Sequence, residues 1–351
     1  MKKPRNQVLD YVLYLIVRLA AAFLGVLPVR VSLSIASGLG ALWFHLPRWL
    51  PETRVTIPDW SRRNTATKVI AAPIRLLASL SRTSNKLLGK FREHRNRAEL
   101  HIRTSFPDMP EADVQRMTLE SLQQLCLMAV ELIISPRLIT RWTWHDYVET
   151  RNLAGAIRAL ADKRGCILLT GHYGNIEVLG TSLATIGFDM TAVMRPFDNR
   201  YLNRLLTRRR AQSGLKLLDK GGATQHAPEI LESGAGLCFI ADQNAGKKGI
   251  FVDFFGRKAS TYKSIGLLAM RFDVSVIVGC ARRVGRDFRY EIHVNRVIQP
   301  EEWADKDDPL RWITQEYTTA LENLIREAPG QYLWIHRRWK TRPKDELADA
   351  A

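Results

Sequence analysis

The sequence predicts an α/β fold, a mixed, mainly parallel sheet flanked by helices, behind an N-terminal membrane-anchoring helical region. Three observations carry this. From Cys166 onward, short apolar runs that fit strands alternate with stretches of helical periodicity. The first fifty residues hold two long apolar stretches, Val8 to Pro28 and Val31 to Leu50. The chain, 351 residues and 46% hydrophobic, is large enough to bury a substantial core.

The first apolar stretch follows Lys2, Lys3 and Arg5 and is interrupted only by Asp10 and Arg18. About twenty such residues suffice to cross a hydrocarbon layer of roughly 30 Å. Ala20-Ala-Ala22 resembles a cleavage site, but Arg18 within the apolar region and the lack of a disulfide pattern favour an uncleaved anchor. Basic residues stand on both sides of the apolar block, with Arg48, Arg54, Arg62 and Arg63 after it. Such symmetry suits a hairpin or monotopic insertion with both ends cytoplasmic.

Residues 1–50 are thus expected to be the anchor, and residues 51–97 a basic segment, either an interfacial helix on anionic lipid or a solvated linker. The folded domain is expected over residues 98–343, with a tail at 344–351. A helix is predicted after Pro110, with Val114, Met117, Ser121, Leu125, Met128 and Leu132 on one face. Another covers Leu153 to Asp162. Strands follow at Met190–Met194, Leu237–Ala241, Val274–Gly279 and Phe288–Val294, and helices at Arg200–Ser213, Thr224–Ser233 and Tyr262–Phe272. Asp308-Pro309 starts a last helix that buries Ile313, Tyr317, Ala320 and Leu324.

The stretch Gly165-Cys-Ile-Leu-Leu-Thr-Gly-His172-Tyr-Gly-Asn-Ile-Glu177 organises this domain. Cys166–Leu169 has the length of a buried strand, so His172 falls at its carboxyl end, the edge where open α/β sheets collect ligands. Asn175 is a ready N-cap, which puts Glu177 in the first helical turn, able to reach back toward the imidazole. A neutral imidazole and an orienting carboxylate are the parts of a general base. The bland alternative is a histidine satisfied by backbone, beside an ordinary first-turn acid.

Two further strand ends project polar groups to the same rim: Arg195 after Val193-Met194, and Asp242-Gln243-Asn244 after the run ending at Ala241. Arginine suits a phosphate, and Asp242 and Gln243 suit ordering either Arg195 or an acceptor hydroxyl. The aromatic run Phe251-Val-Asp-Phe-Phe255-Gly256-Arg257 either walls a slot for a fatty chain or packs the core. Trp334 to Lys340 interleaves tryptophan with cations, as at a membrane headgroup layer.

The formal charge of +17 calls for an anionic partner, whether nucleic acid, anionic lipid or an acidic carrier protein; no nucleic-acid-binding motif accompanies it. Cys126, Cys166, Cys238 and Cys280 are widely spaced in apolar contexts and read as free thiols, not as a disulfide framework or zinc site. G-x-S-x-G, H-E-x-x-H, Walker and G-x-G-x-x-G motifs are all lacking.

Taken together, these features resemble the late acyltransferases of lipid A biosynthesis, a branch of the glycerolipid and lysophospholipid acyltransferase superfamily. The resemblance runs from the anchor to the end of the chain. It is carried by His172 and Glu177 with four residues between, Met194-Arg195-Pro196, Ala241-Asp242-Gln243 with Phe254-Phe255-Gly256, and the closing Gln331-Tyr-Leu-Trp-Ile-His-Arg-Arg-Trp-Lys-Thr-Arg-Pro343. It implies transfer of an acyl group from a thioester, typically on acyl carrier protein, to a hydroxyl of a lipid A precursor or related anionic glycolipid at the cytoplasmic face of the bacterial inner membrane. His172 would be the general base and Glu177 its partner, with Arg195, Asp242, Gln243, Phe255 and Gly256 binding substrate and no cofactor required. From the expected geometry, and not from the resemblance, backbone N–H groups near Gly174, or Arg195, would hold the oxyanion. A lysophospholipid or other glycolipid acyltransferase using acyl-coenzyme A, and a non-catalytic, membrane-tethered basic binding protein, remain as alternatives. The segment 51–97 and Asp273-Val-Ser-Val, which lacks a proline, depart from the family pattern.

Overall fold

A seven-stranded sheet organises the computed structural model, which describes residues 6–49, 65–343 and 346. Its order is β1 (Val148–Arg151), β9 (Tyr290–Ile298), β8 (Ser275–Arg283), β2 (Cys166–Thr170), β5 (Gly236–Ile240), β3 (Met190–Met194) and β4 (Lys216–Asp219). Every pair is parallel except β8 with β9. The mixed, mainly parallel sheet expected from the sequence is therefore present. A separate hairpin joins β6 (Ile250–Phe254) to β7 (Arg257–Thr261), turning at Phe255-Gly256.

The strands that sequence periodicity missed are β1, β4 and the hairpin. β1 and β4 are four-residue edge strands, β1 exposed at three positions and β4 at its two ends, so neither carries the continuous apolar run that marks a central strand. β2 does carry it. Ile167 and Leu169 face a core built with Leu231, Ile265, Ala269, Ile313 and Tyr317. Leu168 faces the opposite layer, with Ala156, Leu183 and Met190. Helices α5 (Ala154–Ala161), α6 (Ile176–Thr185) and α7 (Arg200–Gln212) contribute to that second layer and to the cavity within it. Helices α8 (Ala223–Glu232), α9 (Lys263–Phe272) and α10 (Pro309–Glu327) cover the first. In α10 the expected Ile313, Tyr317, Ala320 and Leu324 are all buried, behind an Asp308 N-cap.

At the N-terminus, α1 (Gln7–Val26) and α2 (Val29–Trp49) are each long and apolar enough to cross a membrane. On α1, Val8, Leu19 and Val26 are 73%, 71% and 86% exposed, which an apolar helix tolerates in lipid but not in water. The flanking Lys2, Lys3, Arg5, Arg54, Arg62 and Arg63 lie outside the described residues, as does the 344–351 tail apart from Glu346.

Helix α3 runs unbroken from Thr65 to Ser105, across the expected boundary at 97/98. Leu88, Ala98 and Ile102 recur on its buried face. Helix α4 (Glu111–Leu138) is also apolar enough to span, but its buried residues include Gln124 and Glu131, which serve the site below. Leu125, Met128 and Leu132, expected on its core face, are only partly buried. The C-terminal tryptophan-cation stretch does not lie at a surface layer. Trp334, Arg338 and Trp339 are all buried, because the segment threads past His101 of α3 and Phe254 of β6.

Candidate active site

The register between β2 and β5 sets Cys166 against Gly236 and Thr170 against Ile240, an offset of seventy residues. Carried two residues past the strands, the same offset brings His172 level with Asp242. Asp242 Oδ1 accepts from His172 Nδ1 and Oδ2 from the His172 backbone N–H, each at 2.8 Å. Burial pushes the Asp242 carboxyl up, but the charge and hydrogen bonds of His172, with His336 beyond, hold it well below the ordinary range. An ionised carboxylate only accepts, so Nδ1 carries the imidazole proton and Nε2 is left with its lone pair.

The turn that presents His172 is locked from three directions. Leu333 N–H donates to the His172 carbonyl at 2.9 Å, and Gly174 N–H donates to Gln331 O at 3.1 Å. Asn175 N–H donates to Ala281 O at 2.8 Å, and Gln124 Nε2 donates to Gly174 O at 2.7 Å. Gly174 has φ +61°, and a Cβ there would stand 2.1 Å from Ala281 O, so only glycine fits. These bonds occupy the Gly174 and Asn175 N–H groups, which corrects the expectation that they hold an oxyanion.

Asn175 caps α6 as expected, accepting from Glu177 N–H and Val178 N–H at 2.9 and 3.0 Å. Glu177 is nonetheless not the group that orients His172. Its carboxylate accepts from Arg210 Nε at 2.9 and 3.1 Å, with Nη2 at 2.9 Å. The helix starts at Ile176, and its first turn directs Glu177 toward α7 instead of back over the turn. Asn175 Nδ2 also donates to the buried Glu131 at 2.6 Å, and Arg283 pairs with the other oxygen of Glu131.

The remaining predicted residues separate. Arg195 does emerge at the same sheet edge, exposed and 3.1 Å from Asp198. Gln243 is exposed, and its carbonyl accepts from the buried Arg338, which also donates to Ser260 O and Thr261 Oγ1 at 2.6 Å. Phe255 is a core residue: its ring packs against Phe106, Phe254 and Trp334, and with Gly256 it makes the β6–β7 turn. The two successive positive φ values there, +52° and +68°, are those of a tight hairpin turn.

Three features escaped sequence reasoning. His336 packs edge-on against His172 with ring centres 4.2 Å apart; burial and then the charge of His172 bring its pKa down to about 4, so it is neutral at physiological pH. Arg210 and Arg338 carried no signal beyond being two arginines among many. An apolar cavity of about 160 Å³ lies between the sheet and α5, α6 and α7, lined by Leu168, Leu183, Met190, Leu215 and Cys238, with Thr170, Glu177 and Arg210 also contributing. Among the described residues, no group of three or more His, Cys, Asp or Glu side chains is placed to hold a metal. All four cysteines are free, Cys166 and Cys280 being buried.

Comparison with known proteins gives the site a context. The sequence model of the bacterial lipid A biosynthesis acyltransferases matches residues 50–341. The chain is 25% identical over 283 residues to the lipid A biosynthesis lauroyltransferase of Escherichia coli K12, covering 79% of this chain and 89% of that protein. It is 24% identical over 256 residues to the palmitoleoyltransferase of the same organism, with 71% and 79% covered. Against the myristoyltransferase it is 24% identical over 277 residues, with 78% and 82% covered. With this match across most of its length, the chain belongs to the bacterial lipid A biosynthesis acyltransferase family and is an O-acyltransferase.

Proposed function

We propose that the protein transfers a fatty acyl group from an acyl carrier protein thioester to a hydroxyl of a lipid A precursor, with His172 as general base and Asp242 as its orienting partner. The observation that carries this reading is the double hydrogen bond from His172 to the ionised Asp242 at the carboxyl edge of the sheet. His172 Nε2 takes the proton as the acceptor oxygen attacks the thioester carbon. The C–O bond forms, the C–S bond breaks, and the proton passes to the departing thiolate; no acyl-enzyme is required. Arg195, at the same edge, is the candidate for stabilising the oxyanion.

Two features support the donor. Arg200, Arg204 and Arg208 stand four residues apart on the exposed face of α7, a basic ridge suited to an acidic carrier. From the same helix, Arg210 lines the apolar cavity, which is the reading for the acyl chain. The apolar α1 and α2 support a membrane location, and the basic residues on both sides of the apolar block support the cytoplasmic face of the inner membrane as the side of the site. The test is transfer of radiolabelled acyl groups from acyl carrier protein, and separately from coenzyme A, into a lipid A precursor by wild-type protein and by His172→Ala. Label in the lipid that depends on His172 supports the reading. Undiminished transfer by His172→Ala sinks the mechanism, and use of coenzyme A alone sinks the carrier.

A further inference from the structure

On its exposed side, α3 carries Lys90, Glu93 and Arg97 at positions i, i+3 and i+7, one helical face. The C-terminal segment brings a third cation to that face. Arg337 Nη2 donates to Glu93 Oε1 at 2.7 Å, and Arg97 Nη2 donates to the same oxygen. Two guanidinium groups thus converge on one carboxylate oxygen, and with Lys90 the face keeps a positive surplus. The crowding is felt: burial and then the charge of Arg337 lower the pKa of Arg97. Like charges held this close are costly unless a further anion joins them.

The position of this face matters as much as its charge. Arg97 Nη1 donates to the carbonyl of Ile335 at 3.0 Å, and Arg337 follows His336 directly, so the two arginines flank the residue whose ring packs on His172. On the other side, α3 meets the end of α2. Trp43 packs on Phe91 and His94 with ring centres 5.0 and 5.7 Å apart, and Arg95 Nη1 donates to Phe44 O at 3.5 Å. The helix that carries Lys90 and Arg97 thus touches both α2, which is long and apolar enough to cross a membrane, and the segment that sets His336 against His172. A lipid whose chains remain in the bilayer beside α2 would bring its headgroup to this face of α3.

We infer that Arg97 and Arg337, with Lys90, form a clamp for a phosphate group on the acceptor lipid and set its hydroxyl against His172. The inference rests on the acyl-transfer reading above and specifies how the acceptor is held. Two planar forks aimed at one point match the oxygens of a phosphomonoester, and Glu93 occupies that point when no phosphate does. Arg97 and Arg337 are positioning residues; neither moves a proton in the reaction.

The test uses the full-length protein in detergent micelles, with a lipid A precursor and the same lipid after phosphatase treatment. Binding is measured without donor, so it needs no turnover. The phosphorylated lipid is expected to bind at least about tenfold more tightly, the effect of one charge-assisted contact. Arg337→Gln, an exposed and structurally mild change, should remove most of that preference, and Arg97→Gln the remainder, while Arg97→Lys and Arg337→Lys keep part of it. In turnover, the loss should appear in the acceptor KM and leave kcat nearly unchanged.

A preference that persists in both glutamine variants, or an equal loss on both lipids, overturns the clamp. So does a loss that follows the donor's phosphate, seen when acyl carrier protein is replaced by an acyl-N-acetylcysteamine thioester. Absence of turnover with the binding preference intact would instead overturn the acyl-transfer reading and leave the clamp standing.

Discussion

Asp242 accepts two hydrogen bonds from His172, one from the ring Nδ1 and one from the backbone N–H, both at 2.8 Å. One carboxylate thus fixes both the tautomer of the imidazole and the place of its main chain. Asp242→Asn keeps the volume but offers an amide that can donate, which removes the preference for Nδ1–H. Turnover is expected to fall by roughly 10²–10⁴, the range of general-base contributions. Glu177→Gln, whose carboxylate answers to Arg210, should cost far less. Steady-state rates of the two variants side by side decide it; a larger loss for Glu177→Gln would return the orienting role to Glu177.

The half-buried His336 ties stability to pH. It faces His172, Asp242, Arg97 and His101, and its folded pKa of about 4 lies below the ordinary 6.5. The folded protein therefore binds fewer protons than the unfolded chain between these values. Its contribution is complete above pH 6.5 and is lost as pH falls toward 4. Asp242, also lowered, acts only below its ordinary 3.8, outside that window. Melting temperatures followed from pH 6.5 to 4 should decline less steeply in His336→Asn than in wild type; parallel curves would show that His336 is not the titrating group.

Gly174→Ala places a methyl against the Ala281 carbonyl and forces a positive φ on an alanine. The backbone term alone costs on the order of 1–3 kcal/mol, and the overlap adds to it. Because the turn carries His172, activity and thermal stability should fall together. A variant as stable as wild type by thermal melt would contradict the packing described for this turn.

Glu131, Arg283 and Asn175 form a buried polar group that ties α4 to the turn that carries His172. Removing one member of a buried ion pair leaves the other uncompensated and costs roughly 3–5 kcal/mol. Glu131→Leu and Arg283→Met should each lower the urea midpoint substantially. The double variant should be more stable than either single one, since no unpaired charge remains. Strictly additive losses would show that the two residues do not act as a pair.

The central strands, the last helix and the strand-end position of His172 were legible because each depends on neighbours in sequence. An apolar run of four or five residues marks a buried strand, Gly171 and Asn175 bracket the turn, and Asp308-Pro309 starts a helix. The edge strands β1 and β4 were not, since exposed four-residue strands leave no pattern. The tryptophans near the C-terminus were legible as aromatic-cationic but not as core, because composition does not say which helices will cover them.

What the sequence by itself determined was the kind of site: a histidine delivered by a strand, a glycine turn and a capped helix, all contacts of short range. What only the tertiary structure decided was the partner. An acid five residues along the chain looked well placed, but the acid that holds His172 lies seventy residues away, two residues past a strand whose neighbour and register are set by packing of the sheet. Offsets along one chain segment are written in local geometry; pairing between parallel strands is settled only when both faces of the sheet find their helices.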